Sequence, residues 1–379
     1  MATVEKGWPK DEDKEKEKIY VATQWQLMWW KFRKHKMALV GVFITTILYL
    51  VAIFCEFVAP YDPGQFFIKY KLAPPSKIHI RDAEGKFHGP FVYKTIREQD
   101  PETLRSIYCE DTETWYPIRS FVHSGEYKMW GRWETHIHLF GLDAPHEEQG
   151  VFLLGADRMG RDLFSRLCYG ARISLSIGLV GVFLSLFLGI LLGGVSGYYG
   201  GTVDTVIQRV VEFIRTIPSI PLWMALSAAV PPDWPVVRVY FAITVILSLV
   251  GWTWMARVVR GRFLSLREED FVLAARLVGS SELRIILRHM VPSFLSYIIA
   301  SLTLSVPGMI LAETGLSFIG LGLRPPAISW GVLLQAAQNL RSVALAPWIL
   351  TPAVAVVITV LSLNFVGDGL RDAADPYSR

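Results

Sequence analysis

Charged residues and cysteines are both scarce in this chain of 379 residues. Asp, Glu, Lys and Arg make up 19% of the sequence, and there are three cysteines. Soluble domains carry about 25% charged residues, so the shortfall argues against a soluble globular protein. Three cysteines, two of them in or beside long apolar stretches, do not form a disulfide framework. The net charge of +4 is too small to indicate nucleic-acid binding.

Sequence motifs that would supply chemistry are also missing. No Gly-x-x-x-x-Gly-Lys-Ser/Thr occurs, so no loop can hold a nucleoside triphosphate. Gly-x-Ser-x-Gly and His-Glu-x-x-His are absent, and His136 and His138 lie two positions apart without a third ligand nearby. We therefore expect no catalytic residue, no metal site and no cofactor in this chain, which is not predicted to be an enzyme.

Long apolar stretches are what the chain does contain, with 52% hydrophobic residues. About 20 apolar residues cross a hydrocarbon core of about 30 Å. Five stretches meet this length, at residues 37–59, 173–196, 237–256, 294–312 and 348–366. We predict a sixth span at 206–230, where Arg209, Glu212 and Arg215 can pair near one interface.

Basic residues set the predicted orientation of these spans. They precede the first span and cluster in the loop after the span at 237–256, which is the fourth in chain order. The positive-inside rule therefore places both of these basic segments on the cytoplasmic side. Four arginines conflict with this predicted orientation, because they lie on the side predicted to be external. They are Arg158, Arg161, Arg166 and Arg172. The predicted fold is an all-α membrane protein with six transmembrane helices, cytoplasmic N and C termini, and an enlarged external α/β or β-rich insertion between the first and second spans.

The spans divide the chain into predicted parts. Residues 1–36 form a cytoplasmic tail and an amphipathic interfacial helix, on which Trp25, Met28, Trp29 and Phe32 face one way. The other parts are the first span (37–59), the external segment (60–172), a five-helix core (173–367) with a cytoplasmic loop at 258–293, and a C-terminal tail (368–379).

Small residues repeat every fourth position along the second span. Such a stripe lets two helix backbones approach closely in lipid, so we expect this span to pack inside a bundle. The residues are Gly181, Ser185, Gly189, Gly193 and Gly197.

The loop between the fourth and fifth spans has an unusual design. Asp270 is a suitable N-cap for a helix over 271–278, Gly279 a suitable C′ residue, and Ser281 caps a second helix that Pro292 ends. A simple connection needs no capped helices, so we expect this loop to fit into a partner.

This loop resembles the EAA loop of ATP-binding-cassette importer permeases. The matching residues are Leu273-Ala274-Ala275, Gly279 and His289-Met290-Val291-Pro292, with Leu273 in place of the family's acid, His289 in place of Ile and Val291 in place of Leu. Segments 31–41, 154–175, 313–322, 325–326, 329–331 and 367–372 with Asp375-Pro376 resemble the second, C-type subunit of oligopeptide and dipeptide permeases. The resemblance does not cover residues 60–152.

The resemblance implies a permease subunit of a binding-protein-dependent importer in the bacterial inner membrane. The implied partners are a sister permease, two ATP-binding subunits that bind ATP and Mg, an external solute-binding protein and the lipid bilayer, with no nucleic acid. The implied ATPase-coupling residues are Leu273, Ala274, Ala275, Arg276, Gly279, Glu282 and Pro292. The alternative for the two alanines and Gly279 is that they only pack the two short helices together.

A second external loop, at residues 313–347, is apolar and rich in turn residues. We expect it to re-enter the membrane or to line a mouth. Its characteristic residues are Gly315, Gly320, Gly322, Pro325 and Pro326.

The expected substrates are oligopeptides or related small oligomers, with oligosaccharides as the alternative. A channel or receptor subunit is a second alternative that leaves the capped loop unexplained. For the aromatics at residues 93–140, two interpretations stand: contact with the binding protein or the translocation mouth, and the core of a small domain.

Overall fold

The computed structural model describes residues 22–82, 84–99, 101–102, 106–142 and 150–374. The predicted tail at residues 1–21 and the Asp375-Pro376 pair lie outside the described residues.

Long helices dominate the described chain. Five are long and apolar enough to cross a membrane, and each predicted span other than the sixth falls on one of them. They are α2 (Lys36–Ile53), α4 (Leu163–Tyr199), α7 (Val236–Leu266), α11 (Leu295–Phe318) and α14 (Thr351–Ala374). Shorter helices join them: α1 (Gln24–Lys34), α3 (Cys55–Val58), α5 (Gly201–Thr216), α6 (Ser219–Ala228), α8 (Asp270–Leu277), α9 (Glu282–Arg284), α10 (Val291–Ser293), α12 (Trp330–Leu334) and α13 (Leu340–Leu345).

The predicted sixth span at 206–230 corresponds to two helices, α5 and α6, that meet at an angle of 87°. Together they are apolar enough to form one broken span, so the described chain has five or six candidate spans. Ile217 is extended, with φ −83° and ψ 127°, because a following proline disfavours the α conformation. Pro218 also lacks the N–H that would continue the helix. The predicted ion pair is present, since Arg209 Nη1 lies 2.9 Å from Glu212 Oε2 on α5.

Helix α1 packs against other helices through two of the four apolar residues that were predicted to face one way. Thr23 and Gln26 form a capping box at its start. Met28 and Phe32 are buried against Ala38 and Ala373, whereas Trp25 and Trp29 are exposed. The four residues share one face of α1, and the C-terminal helix covers the part of that face that carries Met28 and Phe32.

The insertion between α2 and α4 contains an antiparallel sheet in the order β1-β2-β3-β4. The strands are β1 (His79–Arg81), β2 (Phe87–Gln99), β3 (Ser106–Met129) and β4 (Trp133–Leu142). The first half of β3 pairs with β2, with Phe91 opposite Pro117, and its second half pairs with β4, with Ile118 opposite Leu142. The prediction of a β-rich insertion is confirmed, and it carries two long hairpins that share β3.

Helix α4 lies at the centre of the helical part. It packs along α7, α11 and α2. The main hydrophobic core forms where these helices meet, and it includes Leu175, Ile177, Ile243, Leu247 and Ile310. Hydrophobic clusters also form at both ends of α4, one beneath α8 and one beside α3.

The four arginines that conflicted with the predicted orientation all have local partners. Arg161 and Arg166 pair with Asp157, and Arg158 Nε donates to Ser342 Oγ at 2.6 Å. Arg172 pairs with Glu56 and donates to the carbonyls of Ala52 and Ile53. Three of the four arginines thus pair with two carboxylates, Asp157 and Glu56, and the orientation itself stays a prediction.

Candidate functional site

The segment from α8 to α10 lies where the sequence predicted a capped loop. Helix α8 starts one residue earlier than expected, because Glu269 is extended and occupies the N-cap position while Asp270 is already helical. No side chain caps this end. Asp270 in the first turn and Arg276 in the last turn both complement the helix dipole.

Gly279 ends α8 in a Schellman motif. The N–H of Ser280 donates to the carbonyl of Ala275 at 3.0 Å, and that of Gly279 to the carbonyl of Arg276 at 2.9 Å. This closure requires a left-handed residue at C′, and Gly279 has φ +78°. A Cβ at Gly279 would meet no atom within 4 Å, so its constraint is conformational rather than steric.

The second helix of the segment changes its winding along its length. Ser281 is extended at the N-cap position, and α9 passes into a π-helical stretch, Ile285–Met290, before α10. Pro292 has no N–H to donate to the preceding turn, which accounts for the irregular hydrogen bonding here. The prediction that Pro292 ends the helix is off by one residue, since α10 ends at Ser293.

One face of the segment is buried in a hydrophobic cluster at the end of the bundle. Val272, Ile285 and Met290 are fully buried there, and Ala275 packs at its edge. Residues of α4, α7 and α11 complete the cluster, among them Tyr198, Met255, Phe263, Phe294 and Ile298. The segment is therefore fixed to three long helices at once.

Two adjacent tyrosines at the end of α4 hold the segment's charged residues. The guanidinium of Arg276 lies 4.8 Å from the ring centre of Tyr198, a cation–π contact. The hydroxyl of Tyr199 donates to Glu282. Arg276 and Glu282 thus contact α4 while remaining exposed, and sequence reasoning did not identify either tyrosine.

The opposite face of the segment is apolar and exposed. Leu277 and Val278 are 88% and 85% exposed, directly before the terminating glycine. Leu273, Ala274, Leu283, Leu287 and Pro292 are exposed as well. An apolar patch of this kind marks an interaction surface. Sequence reasoning missed Leu277 and Val278, although two large apolar residues beside a helix-ending glycine were a usable signal.

A cavity of about 510 Å³ opens between α4, the α5–α6 bend, α7 and α11. Its wall carries Trp223, Trp254 and Ser305, and Arg215 is the charged side chain among the described lining residues. Leu186, Met255 and Leu302 line this cavity and also pack in the cluster beneath α8. These three side chains therefore lie between the cluster beneath α8 and the cavity.

The stripe of small residues on α4 faces its neighbouring helices. A Cβ at Gly189 would lie 2.6 Å from Met255 Cβ, and one at Gly197 would lie 2.6 Å from Phe263 Cβ. Gly193 lies against the backbone of Ala256, and Gly181 against Met309 of α11. Ser185 Oγ donates to the carbonyl of Ser248 at 3.3 Å. Larger side chains at these positions would separate α4 from α7.

The loop predicted at 313–347 begins later than expected, because α11 continues to Phe318. Gly315 therefore lies within this helix, facing open space. Beyond the helix, Gly320 has φ +82°, Gly322 lies against Ser317, and Pro325-Pro326 is a cis peptide. The loop then packs Trp330 into the core.

Glu313 lies within this longer helix, whereas sequence reasoning placed it in a loop. Its side chain is buried at 0% exposure. Ser174 of α4 donates to Glu313 Oε2 at 3.1 Å, and Ser317 donates to Oε1 at 2.8 Å. The N–H of Trp330 donates to Ser174 Oγ at 3.1 Å. This network joins α4, α11 and the Trp330 loop, and no described cation forms an ion pair with Glu313.

Two family models match the sequence on either side of the sheet. The model described as "Binding-protein-dependent transport system inner membrane component" matches residues 186–379. The model described as "N-terminal TM domain of oligopeptide transport permease C" matches residues 23–75. Strands β1 to β4 lie between the two matched ranges.

Curated relatives agree with these matches. The oligopeptide transport system permease protein OppC of Bacillus subtilis is 36% identical over 66% of this chain and 80% of its own length. The dipeptide transport system permease protein DppC of Lactococcus lactis is 32% identical over 92% of this chain and 89% of its own length. Among solved structures, an inward-facing MetNI methionine ABC transporter chain is 18% identical, covering 55% of this chain and 96% of that chain with a TM-score of 0.42.

Proposed function

The chain belongs to the inner-membrane components of binding-protein-dependent transport systems, within the oligopeptide and dipeptide permeases, and we propose that its α8–α10 segment couples ATP hydrolysis by partner subunits to solute translocation. The family places the protein in the bacterial inner membrane as a subunit of an ATP-binding-cassette importer. Coupling requires a rigid element with an exposed docking face and a firm connection to the spans.

The apolar face of α8 is the observation that carries this proposal. Leu277 and Val278 are among the most exposed large apolar residues of the described chain, while Val272 on the same helix is fully buried. Exposure on one face with burial on the other fits a helix that docks into a cleft of a partner and pushes on the bundle. Arg276 and Glu282, held by Tyr198 and Tyr199, prevent the segment from sliding against α4.

The proposed partners are two ATP-binding subunits, which bind ATP and Mg, a sister permease and an external solute-binding protein. ATP-driven closure of the ATP-binding subunits would move α8, and the shared residues Leu186, Met255 and Leu302 would transmit the movement to the cavity. In this scheme the present chain supplies no ATPase site and binds no cofactor.

We propose oligopeptides as the transported class, in keeping with the names of the curated relatives. The cavity supports this choice, since Arg215 can pair with a peptide carboxylate and Trp223 and Trp254 offer apolar contact. Competition of labelled peptide uptake by unlabelled peptides and by oligosaccharides would separate this class from its alternative.

The substitution Leu277→Asp tests coupling. A carboxylate buried at the centre of an apolar interface costs binding energy typical of a hot spot, so we expect peptide uptake by the reconstituted importer to fall at least about tenfold. Stimulation of ATPase activity by the binding protein should fall as well, because the ATP-binding subunits would bind α8 more weakly.

Leu340→Asp is the matched control, since Leu340 is also a leucine at a helix and is 85% exposed. It lies in α13, away from the α8–α10 segment, so uptake should be unchanged. Normal uptake by a Leu277→Asp importer with normal membrane levels would contradict the proposal.

A further inference from the structure

The end of α2 on the side of the β-sheet marks a depth in the membrane. Helix α2 has 18 residues, which at 1.5 Å per residue span about 27 Å. A hydrocarbon core is about 30 Å thick. If Lys36 marks one boundary of the core, Ile53 at the other end of α2 marks the boundary on the side of the β-sheet.

The β3–β4 hairpin is attached to the chain at that level. Trp130, at its tip, donates from Nε1 to the carbonyl of Ile53 at 2.7 Å, and its N–H donates to Glu56 at 3.3 Å. Further along β4, His138 Nδ1 lies 2.6 Å from the carbonyl of Ala59. The hairpin therefore runs beside α3, with its tip level with the end of the span.

Aromatic side chains form a group at this level, the aromatic collar, consisting of Phe54, Phe57, Phe121, Trp130 and Trp133. Ring centres lie 5.6 Å apart for Phe54 and Trp130, 5.6 Å for Trp130 and Trp133, and 6.2 Å for Phe57 and Phe121. Phe121, Trp133 and Trp130 are 63%, 58% and 45% exposed. A collar that served only as a small-domain core would bury these rings.

The collar continues the exposed apolar surface of α2. Leu50 and Ile53, on the last turn of α2, are exposed large apolar residues, and Phe54 follows them directly. Along the last turn of α2, the exposed surface is aliphatic up to Ile53, and it becomes aromatic from Phe54 onward. The same sequence of surfaces is found at a membrane boundary, where Trp and Tyr collect at headgroup depth. Arg132 at the hairpin tip is exposed and suits contact with lipid phosphates, whereas Lys128 pairs with Glu134 across the hairpin at 2.9 Å.

We propose that the aromatic collar lies in the headgroup region of the bilayer, so that the β3–β4 hairpin is a membrane-contacting element. β4 is an edge strand of the sheet. Open strand edges do not occur in hydrocarbon, so the hairpin enters no deeper than the headgroups. The ligand of this surface is lipid, and the hairpin holds the end of α2 at a fixed depth.

Site-specific spin labelling tests this placement. Trp133→Cys in a Cys109→Ser background gives one accessible thiol among the described cysteines, because Cys55 and Cys168 are buried. The labelled subunit would be assembled into the full importer in lipid nanodiscs, and only preparations with wild-type ATPase activity would be measured. The matched control is the same label on native Cys109, which is exposed and lies at the other end of β3.

We expect the label at position 133 to collide with oxygen in preference to an aqueous nickel chelate, with a ratio severalfold higher than at Cys109. Phe121→Cys should behave like Trp133→Cys, which keeps the test valid if one variant fails to assemble. A position-133 label as accessible to the nickel chelate as Cys109 would overturn the proposal. So would a label that loses solvent access only when the binding protein is added, since the collar would then be a protein docking surface.

Discussion

At the residue scale, buried and half-buried polar side chains outside the predicted sites position the chain's functional parts. Glu56, Arg172 and Glu313 each lie at a junction between elements, and each has hydrogen-bond partners from more than one element. Burial of such groups is tolerated only when their polar atoms are satisfied. These residues therefore act as fixed points between helices rather than as catalytic groups.

Glu313→Ala should destabilise the subunit by removing the acceptor of two buried hydroxyls. A buried polar group left without a partner costs about 1–3 kcal/mol, and Ser174 and Ser317 would both lose theirs. Thermal unfolding of the detergent-solubilised importer should start at a lower temperature. Glu313→Gln is the control, because its amide oxygen still accepts from one serine. Equal unfolding temperatures for the Ala and Gln variants would contradict this role.

At the scale of elements, the local sequence at Gly279 sets the C-terminal end of α8, and contacts with the other helices set the position of the segment. The Schellman closure at Gly279 turns the chain sharply, so that α9 and the π-helical stretch return to the same cluster that holds Val272. The exposed face and the anchored face of α8 both depend on that turn.

Gly279→Leu should lower transport without a steric clash. The glycine has φ +78° with open space around it, and a non-glycine residue in that region costs about 1–2 kcal/mol. We expect the C-terminal turn of α8 to unwind, displacing Leu277 and Val278, with uptake strongly reduced and basal ATPase activity uncoupled from the binding protein. Gly261→Leu, another exposed glycine with open surroundings but without positive φ, should retain uptake. Wild-type uptake with Gly279→Leu would show that α8 needs no defined end.

At the scale of the whole molecule, the chain is a helical permease core with a sheet inserted between its first two spans. The matched family ranges include most of the helical core, without the first part of α4, and exclude the sheet. The sheet nevertheless contacts the rest of the chain through Trp130 and His138, and through Tyr108, whose hydroxyl donates to the carbonyl of Lys71 at 2.6 Å. The sheet is therefore packed onto the rest of the chain and keeps an exposed surface of its own.

Deletion of residues 80–138 tests the remaining prediction that this segment contacts the binding protein. We expect the shortened subunit to insert and to assemble with its partners, because both matched family ranges are intact. Ile80, Phe87 and Ile107 lie on the sheet and expose apolar surface, so ATPase stimulation by the binding protein should fall while basal activity stays the same. Unchanged stimulation would rule out docking on the sheet.

The amino-acid sequence alone determined the membrane class, the five long spans, the helix end at Gly279 and the family resemblance. Each depends on a local pattern: an apolar run long enough to cross lipid, a glycine in the left-handed region, or an ordered motif. The β-rich character of the insertion was also predictable, because β-branched and aromatic residues alternate with polar ones there.

Only the tertiary structure decided which surfaces are covered and which are exposed. The buried Glu313, the Tyr198 and Tyr199 contacts and the exposed Leu277–Val278 pair depend on elements far apart in sequence. A sequence pattern reports the apolar or polar nature of a side chain, whereas burial depends on what packs against it. An apolar residue can therefore lie in a core, face lipid or form an exposed docking surface. Which of these environments it has is decided only when the helices and the sheet pack together.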